Sequence, residues 1–262
     1  MSVLQPEIFS SKRLTDFRFQ LFMNSNISEN IEVKDKIALM VYGKTPCIQA
    51  KQKRLFGAKN RKESYQLFEQ LNQHAQVISS NSNLETIWIY DHEVAGSSFG
   101  TRYSKAFELI FEQGYDFIIS IGNDIPGLNE SHIQLAASRF ENHKAVLGPT
   151  QDGGDYLIAI HRSSFDAATF AKLPWNTNQL HNELNSYLKV GDEKILLLEE
   201  LIDIDDFKSF SNLVYKFSSG FFQKLFIQIL QKIQEFPKTE NHFFNPSLIF
   251  QDHPLRAPPT FS

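Results

Sequence analysis

Two acidic turns, each placed after an apolar run, carry the residues best suited to chemistry on a phosphorylated ligand. Asp124 stands in Gly122-Asn-Asp-Ile-Pro-Gly-Leu128, directly behind Phe117-Ile-Ile-Ser-Ile121. Asp203, Asp205 and Asp206 follow Lys194-Ile-Leu-Leu-Leu198. A hard divalent cation on a phosphate needs one or two protein carboxylates and keeps its other positions for phosphate oxygens and water, so two such turns converging would suffice. The structural alternative is that Asp124 only stabilises a tight turn and that Asp203 to Asp206 only cap the next helix.

A second cluster is Gly148-Pro-Thr-Gln-Asp-Gly-Gly154. Gly153 and Gly154 let the backbone approach a ligand closely, and Asp152 beside them can accept hydrogen bonds from sugar-like hydroxyls or act as a base. Asp-Gly equally favours an ordinary hairpin turn. Tyr156 and Trp175 could wall a ligand, although aromatics are more often core. A third cluster, Lys44, Lys51, Lys53 and Arg54, would complement a diphosphate, with arginine able to hold it bidentately. A solvated basic loop is its alternative. The chain has no Walker loop and no Gly-x-Gly-x-x-Gly, its eight histidines lack zinc spacing, and no Gly-x-Ser-x-Gly is present.

These clusters need elements to position them. Lys36 to Tyr42, Thr86 to Tyr90, residues 116 to 122, Ala145 to Pro149, Tyr156 to Ile160 and Lys194 to Leu198 read as short strands. Unbroken apolar runs of this kind suit a sheet covered on both faces. Tyr103, Ala106, Phe107, Ile110 and Phe111 recur at helical spacing, and helices are also expected over about 61–76, from Asn129 or Ser131 to about 142, over 178–188, and over 222–233. Strand, helix, strand, helix, strand is a parallel α/β signature, in which ligands bind beyond the carboxyl ends of the strands. Tyr156 to Ile160 is the expected hairpin or sheet partner of Ala145 to Pro149.

Composition limits the function classes. With 26 basic and 30 acidic residues the formal net charge is −4, so no global field attracts nucleic acid or an anionic membrane. The lone Cys47 cannot form an internal disulfide, which points to a reducing cytoplasm. No stretch approaches a membrane span, and the first residues lack a secretion signal's basic and apolar regions.

In order, Gly122 to Leu128, Gly148 to Gly154 and Asp203-Ile-Asp205 resemble the motifs of the DUF2064 family, glycosyltransferase-like proteins of the GT-A type. Some members are called radical-SAM/selenodomain-associated transferases or arsenosugar-biosynthesis glycosyltransferases. The resemblance spans about residues 36–215. It implies an α/β, GT-A-like nucleotide-diphospho-sugar transferase fold, a mostly parallel sheet flanked by helices, with additions at both ends. Residues 1–34 would form an N-terminal extension, 35–217 the transferase domain, and 218–262 a helix and irregular tail packed on that domain.

The implied function is metal-dependent transfer from a nucleotide-activated sugar to a small acceptor. The alternatives are a nucleotidyltransferase releasing pyrophosphate and a non-catalytic binding or scaffold protein on the same fold. The resemblance assigns Asp124 and Asp205 to a divalent metal, Mg²⁺ or Mn²⁺. It assigns Lys44 and Arg54 to the nucleotide loop, where Lys53 can supply charge, and Arg102 to a Leu-Gly-x-Arg pattern in which Phe99 takes the Leu place. Asp152 is the expected base, with Gly153, Gly154, Asp155, Tyr156 and Trp175 on the substrate side. The expected partners are a nucleotide-sugar donor and a small-molecule acceptor, with a homo-oligomer allowed. Departures gather in the first loop, where Gln49, Gln52 and Lys53 replace the family's Gly, Lys and Thr, and Asp155 stands where a Tyr would follow Gly154.

Overall fold

The structure is a computed structural model that describes residues 36–139, 143–189 and 194–234. The expected extension over 1–34 and the irregular tail from Pro237 lie outside the described residues. Six strands form one sheet: β1 (Ile37–Gly43), β2 (Glu85–Tyr90), β3 (Phe117–Ile121), β4 (Ala145–Pro149), β5 (Asp155–His161) and β6 (Ile195–Leu197). Their order is β2-β1-β3-β5-β4-β6. β1 pairs in parallel with β2 and β3, β4 pairs in parallel with β6, and β5 runs antiparallel between β3 and β4. The sheet is therefore mostly parallel, as expected, with one reversed strand that returns through the Gln151 to Gly154 turn.

All five residues of β3 are buried because both faces of the sheet are covered. Eight helices are described: α1 (Pro46–Lys53), α2 (Arg61–Ser80), α3 (Phe99–Phe111), α4 (Glu130–Arg139), α5 (Ala167–Phe170), α6 (Leu180–Leu188), α7 (Phe207–Lys216) and α8 (Phe221–Gln234). On one face, Met40, Ile118 and Ile158 meet Phe107 and Ile110 of α3, Phe170 of α5 and Leu184 of α6. On the other, Leu39, Ile119 and Ala159 meet Ile133 and Ala136 of α4 with Ala75 and Ile78 of α2. Strict alternation along each strand sends neighbouring side chains to opposite layers.

A third apolar cluster packs α7 and α8 against α1 and α2. It contains Ala50, Leu67, Phe68, Leu71, Phe210, Leu213, Phe222 and Phe226. Burying each large side chain contributes about 1.5–3 kcal/mol, so this cluster fixes α1 and the chain after β6 in one position. The site depends on that coupling.

Two elements differ from the sequence expectation. The loop after β1 is an eight-residue helix, α1, with Pro46 preset for the first helical turn and only Gln49 and Ala50 buried. Its weak apolar periodicity hid it. The acidic run divides between two roles: the Asp206 carboxylate accepts from the Ser209 amide at 2.7 Å and caps α7, leaving Asp203 and Asp205 ahead of the helix.

Candidate functional site

The two acidic turns and the first loop meet beyond the carboxyl end of β3. Asn123, almost fully buried, joins them: its Nδ2 donates to the Lys44 carbonyl at 3.0 Å and to Asn72 Oδ1 at 2.9 Å, and its Oδ1 accepts from Gln49 Nε2 at 2.8 Å. A Cβ on Gly43 would lie 2.1 Å from Asn123 Oδ1, so only glycine lets the strand end pass that amide. The Ile204 amide donates to the Asp124 carbonyl at 3.4 Å, and the Gln151 amide to the Leu201 carbonyl at 3.1 Å. These bonds place the turns carrying Asp124, Asp152 and Asp205 side by side.

Lys53, the last residue of α1, sits between the carboxylates. Its ammonium donates to Asp124 Oδ2 at 2.7 Å, to Asp205 Oδ1 at 2.5 Å and to the Ile204 carbonyl at 2.8 Å. Nζ also lies 5.6 Å from the Phe68 ring centre. Burial alone would lower the Lys53 pKa, but the Asp124 and Asp205 charges outweigh it and hold the group well above its ordinary range. Lys53 thus faces the acidic turns rather than a phosphate position.

Asp152, Asp203 and Asp205 form a second grouping, with one oxygen from each lying within 4.8 Å of the others. Three hard oxygen donors at that spacing could hold Mg²⁺ or Mn²⁺. Burial, and then the Asp205, Asp124 and Asp152 charges, push the Asp203 carboxyl upward. Asp152 Oδ1 accepts from Thr150 Oγ1 at 2.5 Å and from the Gly154 amide at 3.2 Å, so the turn itself fixes this carboxylate. Gly153 has φ +91°, and a Cβ there would lie 2.3 Å from the Asn178 carbonyl oxygen. The turn is a hairpin turn, and the close approach at Gly153 is that of the Asn178 carbonyl.

On the opposite side of α1, Lys44, Ile48, Lys51, Gln52, Arg54, Asp91 and His92 line an open groove of about 720 Å³. Arg54 ends α1 in the left-handed conformation, φ 45°. Lys44 and Arg54 therefore share the groove, whereas Lys53 does not line it. Arg102 is not itself a lining residue but is paired with one: Nε and Nη2 donate to the two carboxylate oxygens of Asp91 at 2.9 and 3.0 Å, and Tyr42 donates to Asp91 at 2.8 Å.

The expected substrate-side aromatics are structural in their contacts. The Tyr156 side chain is buried and donates to the Glu199 carbonyl at 3.1 Å. Half-buried Trp175 donates to the Phe170 carbonyl at 2.9 Å and packs on Phe99, Tyr103 and Phe170. The Asp155 side chain, fully enclosed, pairs through Oδ1 with His181 Nδ1 at 2.8 Å, while its Oδ2 has no partner. Burial pushes the Asp155 carboxyl up to about 7 despite the opposing effect of His181. Sequence reading missed His181 and Asn123 as the anchor of the first loop, and it kept Asp203 within the acidic group without singling it out as a donor. The only advance signal was that Asn123 and Asp203 lie inside the acidic motifs.

Chains of known structure and sequence place this arrangement. Residues 84–177 match the DUF2064 family. That family is described as an uncharacterized protein conserved in bacteria, and the match takes in the Asp124 turn, the Asp152-Gly-Gly turn and Trp175. The altered first loop and Asp205 fall outside it. No curated protein matches the chain.

Among solved structures, a candidate nucleotide-diphospho-sugar transferase from Desulfovibrio desulfuricans G20 overlays with a TM-score of 0.62 at 18% identity, covering 78% of this chain and 99% of that one. The fold is thus that of nucleotide-diphospho-sugar transferases. Two looser overlays are the Mycobacterium sp. strain JC1 homologue of Mycobacterium tuberculosis rv0371c (TM-score 0.42, 12% identity, 69% and 96% covered) and a glycosyltransferase involved in glycosylation of the major capsid of PBCV-1 (0.40, 11%, 75% and 99%). Among the described residues no helix is long and apolar enough to cross a membrane.

Proposed function

We propose that the chain is a transferase that binds a nucleotide-activated sugar and moves its glycosyl group to a small acceptor. The observation that carries this reading is a pair of features flanking α1, the clustered Asp152, Asp203, Asp205 oxygens on one side and the basic groove on the other, on a fold shared with a candidate nucleotide-diphospho-sugar transferase. Lys44, Lys51 and Arg54 would hold phosphate oxygens, Arg54 by paired N–H donors. Gln52 and His92, which line the same groove, would meet the nucleoside.

Asp152, Asp203 and Asp205 would hold a divalent ion, which when bound supplies positive charge to a diphosphate leaving group. This places Asp152 among the ion's ligands, a use its fixed Oδ1 favours over the expected role as a base. Ligation also resolves the crowding that raises Asp203, because a cation beside it favours the ionised carboxylate.

Calorimetric titration with nucleoside diphosphates and sugar nucleotides, with and without Mn²⁺, tests the proposal. Ion-assisted binding of at least one diphosphate is expected, weakened by Arg54→Ala. Absence of binding by every compound, in protein with an intact thermal transition, would sink it. Release of pyrophosphate from a nucleoside triphosphate would replace it with nucleotidyl transfer.

A further inference from the structure

We infer that Lys53 is a tethered cation that withdraws Asp124 from the divalent-ion site and confines any bound ion to the Asp152, Asp203, Asp205 side. The inference rests on the proposed ion site. It corrects the simplest expectation from the sequence, in which Asp124 and Asp205 share the metal.

Three features carry it. An ammonium has three N–H donors, and Lys53 directs them at three acceptors, Asp124 Oδ2, Asp205 Oδ1 and the Ile204 carbonyl, all at 2.8 Å or less. No donor is left over for a phosphate. The side chain is also mostly enclosed, 18% exposed, and backed by the Phe68 ring, so it is not a surface lysine that happens to reach a carboxylate. Finally, its position is set by packing: Ala50 of α1 lies in the core, Gln49 is bonded to Asn123, and Arg54 terminates the helix immediately after Lys53.

Electrostatics makes the exclusion effective. A divalent ion between Asp124 and Asp205 would meet a positive charge in the same space, and displacing the ammonium would strip a buried charge of all its partners. Asp152 and Asp203 each present an oxygen within 4.8 Å of an Asp205 oxygen, and neither is among the three acceptors of the Lys53 ammonium. Lys53 stands where the resembling family pattern has Thr, a residue that would leave Asp124 unpaired. The chain thus carries its own counterion for Asp124.

Mn²⁺ binding, measured by calorimetry and by loss of the free-ion electron paramagnetic resonance signal, tests this without reference to turnover. Wild type and Asp124→Asn should bind Mn²⁺ with affinities within about threefold of one another, because Asp124 is not a ligand. Lys53→Met should bind about tenfold or more tightly than wild type, since the Asp124 charge is released to face the ion and the ammonium beside Asp205 is gone. In the Lys53→Met, Asp124→Asn double variant most of that gain should vanish. Lys53→Gln provides the same comparison should Lys53→Met fold poorly.

Loss of Mn²⁺ binding in Asp124→Asn alone, or no tightening in either Lys53 variant while wild type binds, overturns the inference and leaves the proposed ion site standing. Binding by the Lys53 variants but not by wild type supports the tethered cation and removes the ion from the proposed function. No binding by any of them overturns both.

Discussion

At the scale of single residues, Asn123 sets how the first loop meets the acidic turns. Its amide spends both donor directions and its oxygen on Lys44, Asn72 and Gln49, which come from three separate segments. Asn123→Ala should leave buried polar groups without partners and lower stability by about 1–3 kcal/mol. Asn123→Asp should cost more, since a carboxylate can neither donate to the Lys44 carbonyl nor lose its charge cheaply in a buried position. Urea unfolding of the three proteins checks the order, and equal midpoints for wild type and Asn123→Asp would contradict it. The motif around Asn123 was legible in the sequence, but its partners, 51 to 79 positions away for Asn72 and Lys44, were not. The same holds for Lys53: its charge was visible, while the direction of the ammonium depends on the helix that carries it.

Elements were legible where one local signal dominated. The apolar strands β1, β3 and β4 and the amphipathic α3 are found at the expected positions because burial alone decides them. The helices α1 and α5 escaped, the first because its buried residues are few, the second because four residues carry no period. The turn between β4 and β5 gives an element-scale prediction. At Gly153, φ is +91° and the start of α6 is close enough that the Asn178 carbonyl would meet a Cβ at 2.3 Å. The Gly153 carbonyl in turn accepts from the His181 amide at 2.9 Å. Gly153→Ala should therefore shift the α6 entry, displace Asp152 from its fixed position, and cost about 1–3 kcal/mol. A lowered melting temperature together with weaker Mn²⁺ binding is expected. The control Gly57→Ala also has a positive φ but meets nothing within 4 Å, so it should show only the milder backbone effect.

For the whole molecule, the mostly parallel sheet followed from the alternation of apolar runs and helices, but its strand order did not. The insertion of β5 between β3 and β4 is a non-local pairing, set by which edge of β3 remains open once β1 has taken the other. That insertion buries the first residue of β5, Asp155, against His181, and gives the folded chain a distinctive response to pH. The Asp155 carboxyl moves from its ordinary 3.8 up to about 7 because burial disfavours its charge, with His181 opposing and Asp152 reinforcing the shift. Between those two values the folded protein retains a proton that the unfolded chain has released. Stability from this group is therefore complete below the lower value and is withdrawn as pH rises, by at most about 1.4 kcal/mol per pH unit. Asp155→Asn, which cannot ionise, should be closest to wild type near pH 4 and gain on it steadily up to about pH 7, beyond which the gap stays constant. Melting temperatures of the two proteins across this range, taken without divalent ions, check the sign. Parallel curves would show that Asp155 ionises in the folded protein as easily as in the unfolded chain.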